Sequence, residues 1–171
     1  SNGANNSATV TAKTVSLSAS KTYDGNASLT GDVTIITGVG SQTLNYTGAT
    51  ASDANVATAN KYISAITLTS GTGTASNYAL PTLNASNAPV TVTQLDSVIY
   101  TGSTGGSWST GSNWTTTSTI GSTNITGATP TLGNVATIII PVGKTVAYSD
   151  SMNGLTPVSY THLTLPTILL V

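Results

Sequence analysis

The chain has 171 residues and a formal charge of −1, from four lysines and five aspartates, and it contains no arginine, glutamate or cysteine. Charged residues make up 5% of it, where an ordinary globular protein carries roughly 25%. Four scattered lysines cannot build the positive stripe that nucleic acid or an anionic membrane requires, and without cysteine there is no disulfide, thiolate-zinc or iron–sulfur chemistry.

Water must be met by hydroxyls and amides, and serine with threonine fills roughly a third of the chain. Disorder is not expected, because 38% of the residues are hydrophobic and the mean hydropathy is +0.15. Neither a signal peptide nor an apolar span of about 20 residues is present. The longest apolar runs are Ile138 to Ile140 and Ile168 to Val171.

Thr, Val, Ile and Tyr dominate between Gly, Asn, Asp and Ser punctuation, and strong helix formers are scarce, so the chain is expected to be all-β. In chain order, Val10 with Ala12, and then Val15, Leu17 and Ala19, alternate with polar residues. So do Val33 with Ile35, Leu44 with Tyr46, Ile66 with Leu68, and Val90 with Val92. Each pattern reads as a strand with one buried face. Turns are expected at Asp24-Gly25, Gly31-Asp32, Gly38 to Gly40, Gly71 to Gly73, and Pro81. The alanine-rich stretch 49–61 suits a short helix or a loop equally, because Thr and Asn dilute it.

Ala8-Thr9-Val10-Thr11-Ala12 returns as Ala88-Pro89-Val90-Thr91-Val92, with Val10 and Val90 80 positions apart. That spacing suits one unit of a tandem array, and a domain of that size folds without staples. From Tyr100 glycine and serine thicken around Trp108 and Trp114, which places a module boundary near Asp96.

Lys21-Thr22-Tyr23-Asp24-Gly25-Asn26, some fifty residues of β pattern and then Asn77-Tyr78-Ala79-Leu80 resemble the YDG repeat domain of filamentous haemagglutinin-like bacterial adhesins. Val10 to Val15 is similar to that family's lead-in strand, and the resemblance covers residues 8–93. Physically these residues are architecture. Asp24-Gly25 is a turn in which Asp accepts backbone N–H bonds and Gly takes positive φ. Tyr23 and Tyr78 cover the ends of a β core with a ring that has a polar tip, and Asn77 bonds local backbone where a strand begins.

A second segment, Gly106-Ser107-Trp108, Asn113-Trp114 and then Ile140-Pro141-Val142-Gly143-Lys144-Thr145-Val146, resembles another recurrent piece of the same exoproteins. In relatives this piece looks like the start of a parallel β-helix or a β-sandwich. Trp108 and Trp114 are expected to cap an apolar edge; the alternative is that they stack on sugar rings.

Residues 158–171 break the composition and carry the only histidine, His162. They resemble translated sequencing adapter. The codons GTC TCT TAT ACA CAT CTG ACG CTG CCG ACG, read from the third base of a transposase-type adapter, encode residues 158–167. The adapter's leftover A and an eight-base index then supply three codons, GTG gives Val171, and TAG stops the chain. The expectation is that 158–171 is artefact and that the natural protein continues beyond about Pro157.

Without that tail the chain has no histidine, and Asp24, Asp32, Asp53, Asp96 and Asp150 are the only carboxylates. General bases, triads and the usual metal ligands are missing, no Asp-x-Asp-x-Asp run offers a calcium loop, and a glycosidase dyad would need two of these aspartates to converge. No catalytic, cofactor or metal residue is assigned. Sequons stand at Asn5, Asn26, Asn45, Asn84, Asn113 and Asn124 and allow glycosylation.

The expected organisation is a linker or repeat end over 1–7, a small β-grasp-like or sandwich-like module over 8–93, a linker over 94–106 and a partial Trp-containing β segment over 107–157. The resemblance implies a non-catalytic stalk repeat of a large secreted or surface-anchored bacterial adhesin. Its partners would be adjacent repeats of the same chain and host or neighbouring-cell glycans or proteins, with no nucleic acid and no membrane insertion. It also implies an extracellular location reached by two-partner export. The alternative function is a carbohydrate-binding module using Trp108 and Trp114.

Overall fold

The structure is a computed structural model, and it describes residues 10–116, 130–131, 133–148 and 168–169. Sequons Asn5 and Asn124, Asp150, His162 and most of the adapter-like tail lie outside the described residues. Within them the fold is all-β, as the composition requires, with two single 3-10 turns and no α-helix. Among the described residues no helix is long and apolar enough to cross a membrane.

Two compact units divide the chain, one of Ser1–Ala19, Ser28–Ala51 and Asn60–Val90, the other of Ser20–Ala27, Ser52–Ala59 and Thr91–Val171. In the first, β1 (Lys13–Thr14) pairs in parallel with β6 (Tyr78–Ala79). β2 (Ser16–Thr22), whose last residues belong to the second unit, has antiparallel β3 (Val33–Ile36) on one edge and β7 (Val90–Thr93), of which only Val90 is in the first unit, on the other. β4 (Leu44–Ala51) and β5 (Ile63–Ser70) form an antiparallel ribbon whose register shifts between Thr47 and Thr50, where Gly48 takes φ 63°. A left-handed residue in the middle of a strand is a bulge, which glycine makes without strain. The unit's core is Val15, Leu17, Ala19, Leu29, Ile63 and Ala88 with their neighbours.

Alternation reads β2 correctly, since Val15, Leu17 and Ala19 are buried between exposed serines. It fails one step earlier. Val10 is 93% exposed and Ala12 is also exposed, with β1 starting only at Lys13. An extended segment alternates whether or not anything covers it, and burial needs a partner as well as a period. Val90, which echoes Val10 in sequence, is buried at 7%. The stretch 49–61 contains no helix; β4 runs to Ala51 and a loop follows. Asp53 Oδ1 accepts the Asn55 N–H at 2.6 Å and the Thr58 hydroxyl at 2.9 Å. This is the side-chain competition that keeps Asp and Thr out of helices.

In the second unit, β8 (Leu95–Tyr100) has antiparallel β10 (Trp114–Thr116) on one edge and parallel β11 (Val135–Ile139) on the other. The tail residues of β13 (Ile168–Leu169) pair in parallel with Ile138 and Ile139. A separate parallel pair joins β9 (Gly106–Ser107) to β12 (Val146–Ala147). Residues 94–106 therefore contain β8, whose Leu95, Val98 and Tyr100 are buried. The core is completed by Tyr23, Val92, Trp114, Val135 and Ile138.

Candidate functional site

The Tyr-Asp-Gly motif closes on itself. Gly25 adopts φ 83°, and Asp24 Oδ1 accepts the Asn26 backbone N–H at 3.2 Å, an Asx turn of the kind the sequence predicts. The same carboxylate oxygen pairs with Lys21 Nζ at 2.7 Å. Lys21, whose side chain is 6% exposed against 49% for Asp24, also donates to the Asn26 carbonyl at 3.3 Å. The motif's charges are spent inside one turn.

Tyr23 is 4% exposed. Burial pushes its hydroxyl above the ordinary tyrosine value of 10.0, the neighbouring Asp24 charge adds to the rise, and a hydrogen bond shared with the Asn134 side chain opposes it. Asn134, 5% exposed, is the junction of this region. Its Oδ1 accepts the Val56 N–H at 2.8 Å, and its Nδ2 donates to Asn55 Oδ1 at 2.9 Å and Thr131 Oγ1 at 3.0 Å. Its carbonyl accepts the Leu95 N–H at 3.0 Å. Sequence reasoning missed Asn134 because it matches no motif and its partners come from distant stretches of the chain. Its position directly before the apolar run at Val135 was the only available signal.

Asn77 and Tyr78 fall in the first unit, and Tyr23, Asp24 and Gly25 in the second. Asn77 ends the 3-10 turn Ala75–Asn77, its N–H donating to the Thr74 carbonyl at 3.0 Å, and its side chain is exposed. Tyr78 is buried, and its hydroxyl donates to Gln42 Oε1. Gly73 sits against this pair, where an added Cβ would come within 2.9 Å of Gln42 Oε1 and 3.2 Å of the Tyr78 ring. Tyr46, which sequence analysis treated only as a strand residue, also has a spent hydroxyl. It donates to the Leu29 carbonyl at 2.8 Å and accepts the N–H groups of Gly31 at 2.7 Å and Val33 at 3.1 Å.

The two tryptophans are brought together, but not as a pair of exposed faces. Trp114 is fully buried, packed edge-on against Tyr100 at 5.2 Å and Trp108 at 4.7 Å, and its Nε1 donates to the Trp108 carbonyl at 2.9 Å. Trp108 is half-buried and meets Tyr148 at 5.5 Å. Of the pair, only Trp108 has ring surface to offer a ligand.

Among the described residues no three His, Asp, Glu or Cys side chains converge as a metal site would need. A shallow open depression bordered by Thr30, Val33, Ile35 and Leu44 holds no ionisable group besides the phenol of Tyr46. The sequons at Asn26, Asn45, Asn84 and Asn113 are described; the Asn84 side chain is occupied as an Asx turn, with Oδ1 accepting from Ser86 and Asn87. The Asn113 amide donates to the Ser107 carbonyl at 2.8 Å.

No curated protein and no solved structure matches the chain. Both halves of the motif pair, Tyr23-Asp24-Gly25 and Asn77-Tyr78, fall within one match to a family model, which starts two positions before the expected 8–93 and stops five short of its end. Residues 6–88 match the YDG domain.

Proposed function

We propose that this chain is a non-catalytic structural repeat of a large secreted or surface-anchored bacterial adhesin, and that it holds a binding tip away from the cell. One observation carries the reading. Two polar side chains of the matched motif are bonded within the fold, Asp24 to Lys21 and the Asn26 N–H, and Tyr78 to Gln42. Groups already satisfied within the fold fix backbone geometry and have little left for a ligand. The sparse charge supports the same reading, since a surface of hydroxyls and amides stays solvated without strongly attracting passing polyions. The location this requires, outside the cell, is part of the proposal.

The test separates spacer from receptor-binding module. Purified chain added in excess to the adhering bacterium should leave attachment unchanged, whereas deleting residues 6–88 from the full gene should weaken it. Competition by the purified chain would overturn the spacer reading. Loss of that competition in Trp108→Ala would then identify a glycan-binding module.

A further inference from the structure

The turn that carries Tyr23-Asp24-Gly25 also holds an amine, a carboxylate and a carboxamide against one another. The Lys21 side chain is 6% exposed. Its Nζ lies 2.7 Å from Asp24 Oδ1, 3.3 Å from the Asn26 carbonyl oxygen and 3.4 Å from Asn26 Oδ1. The backbone brings this about. Gly25 turns the chain at φ 83°, and Asp24 Oδ1 accepts the Asn26 N–H at 3.2 Å, so residue 26 comes back to Lys21. The three side chains all belong to the segment Ser20–Ala27 of the second unit.

An ion pair needs only the first of these contacts. The carboxamide adds an electrophile, because the oxygen that Lys21 Nζ reaches is one bond from Asn26 Cγ. A nucleophile and an electrophile held together in a fixed, water-poor turn react as though each were at about 10⁵–10⁸ M. The carboxylate beside them is placed to carry the proton that such an attack must shed. We propose that Lys21 and Asn26 join through an intramolecular isopeptide bond, and that Asp24 is the group that moves the proton.

The step balances without a further reagent. Asp24 takes one proton from the Lys21 ammonium, and the freed lone pair attacks Asn26 Cγ to form the Nζ–Cγ bond. Asp24 returns that proton to Nδ2, the Cγ–Nδ2 bond breaks, and the second proton shed by Lys21 leaves with the nitrogen as ammonium. One hydrogen stays on the new amide, and Asp24 ends as the carboxylate it began as. The competing targets are disfavoured for chemical reasons. A carboxylate repels the incoming lone pair, so Asp24 serves as base and not as acceptor. Attack on the Asn26 backbone carbonyl reverses, because the displaced backbone amine stays beside it, whereas ammonium diffuses away. The product is a ring over residues 21–26 that ties the end of β2 to its turn. It also replaces the Asn26 side-chain nitrogen, which closes that sequon to glycosylation. None of this requires an adhesive role.

Mass spectrometry of the full chain reads the bond directly. Purified and held folded at neutral pH, the chain should weigh about 17 Da less than its sequence requires, the mass of one ammonia. Trypsin should fail to cut after Lys21, which leaves residues 14–61 as one peptide in which fragmentation finds Lys21 joined to Asn26. Lys21→Arg, which keeps a cation but presents no ammonium to deprotonate, should show its full sequence mass. Asp24→Asn, which keeps an oxygen for the turn but removes the base, should do the same. A parent chain of full mass overturns the proposal, and because the parent decides, a variant that fails to fold leaves the test intact. A loss of the same size with cleavage after Lys21 retained marks a succinimide at an asparagine and also overturns it. A crosslink that persists in Asp24→Asn overturns the part given to Asp24.

Discussion

Asn134 holds the backbone of Val56, its Oδ1 2.8 Å from the Val56 nitrogen, while its amide nitrogen binds Asn55 and Thr131. One buried side chain thereby joins the loop of residues 52–59 to the turn that starts β11, and it shares a further bond with the Tyr23 hydroxyl. Replacing it with alanine removes the bonds to Val56, Asn55 and Thr131 together. Asn134→Ala should therefore cost about 2 kcal/mol, since each bond contributes roughly 1 kcal/mol and the partly exposed partners recover some of it from water. Asn77→Ala, at an exposed position of the matched motif, should fall within about 0.5 kcal/mol of the parent. Urea midpoints with unchanged m-values check both.

The Tyr23 hydroxyl gives a pH signature. Its folded value is raised above 10.0 by burial and by Asp24. The folded state therefore keeps the proton after the unfolded chain has released it. The contribution to stability is full below about pH 10 and is lost as pH rises from there through the folded value. Tyr23→Phe should lower stability at neutral pH, where the bond to Asn134 is lost. It should also flatten the alkaline decline, so the two stability curves converge above pH 10. Parallel curves in urea titrations at pH 8 to 11 would show that Tyr23 is not the group responsible.

The sequence carried the fold class and much of the first unit, for a physical reason. A strand packed on one side must alternate, and β2 does so from Val15 to Ala19. A turn such as Asp24-Gly25 needs residue types that announce themselves. Two things were not legible. Partnership is non-local, so Val10 reads like Val90 although one is exposed and the other buried. The residue-by-residue pairing of β8 with β11 was hidden because Leu95 to Tyr100 and Val135 to Ile139 resemble each other only in the placing of buried residues. Trp108 and Trp114 look alike in sequence although only Trp114 is fully buried, and Asn134 was hard to find because, in a chain this rich in asparagine, only its place before Val135 marks it.

Gly106 marks a close approach. An added Cβ would lie 2.3 Å from the Tyr100 hydroxyl oxygen and 3.0 Å from the Ser103 carbonyl oxygen. The Tyr100 ring is buried and its hydroxyl is tied to the Ser103 carbonyl at 2.8 Å, so it cannot swing aside. Gly106→Ala should cost about 1–3 kcal/mol through overpacking. Tyr100→Phe loses one hydrogen bond but clears the space, so the double variant should be more stable than the sum of the two single losses predicts. Such a coupling is expected only for residues in direct contact. Strict additivity in thermal or urea melts would mean that the two do not touch.

The tryptophans divide the roles that their sequence left together. Trp114 is fully buried, with Tyr100 and Trp108 edge-on to it and its indole nitrogen donating to the Trp108 carbonyl at 2.9 Å. Removing it opens a large cavity and orphans a carbonyl, so Trp114→Ala should cost about 3–5 kcal/mol. Trp108 is half-buried and makes its ring contacts with Trp114 and Tyr148. Trp108→Ala should cost about 1–2 kcal/mol, because edge-to-face contacts add little beyond the area they cover. Fluorescence distinguishes the two sites without relying on stability. In Trp108→Phe the remaining emission should be blue-shifted and resist acrylamide, and in Trp114→Phe it should be red-shifted and readily quenched. Equal quenching in the two variants would show that both rings reach solvent and would return the sugar-stacking reading to the pair.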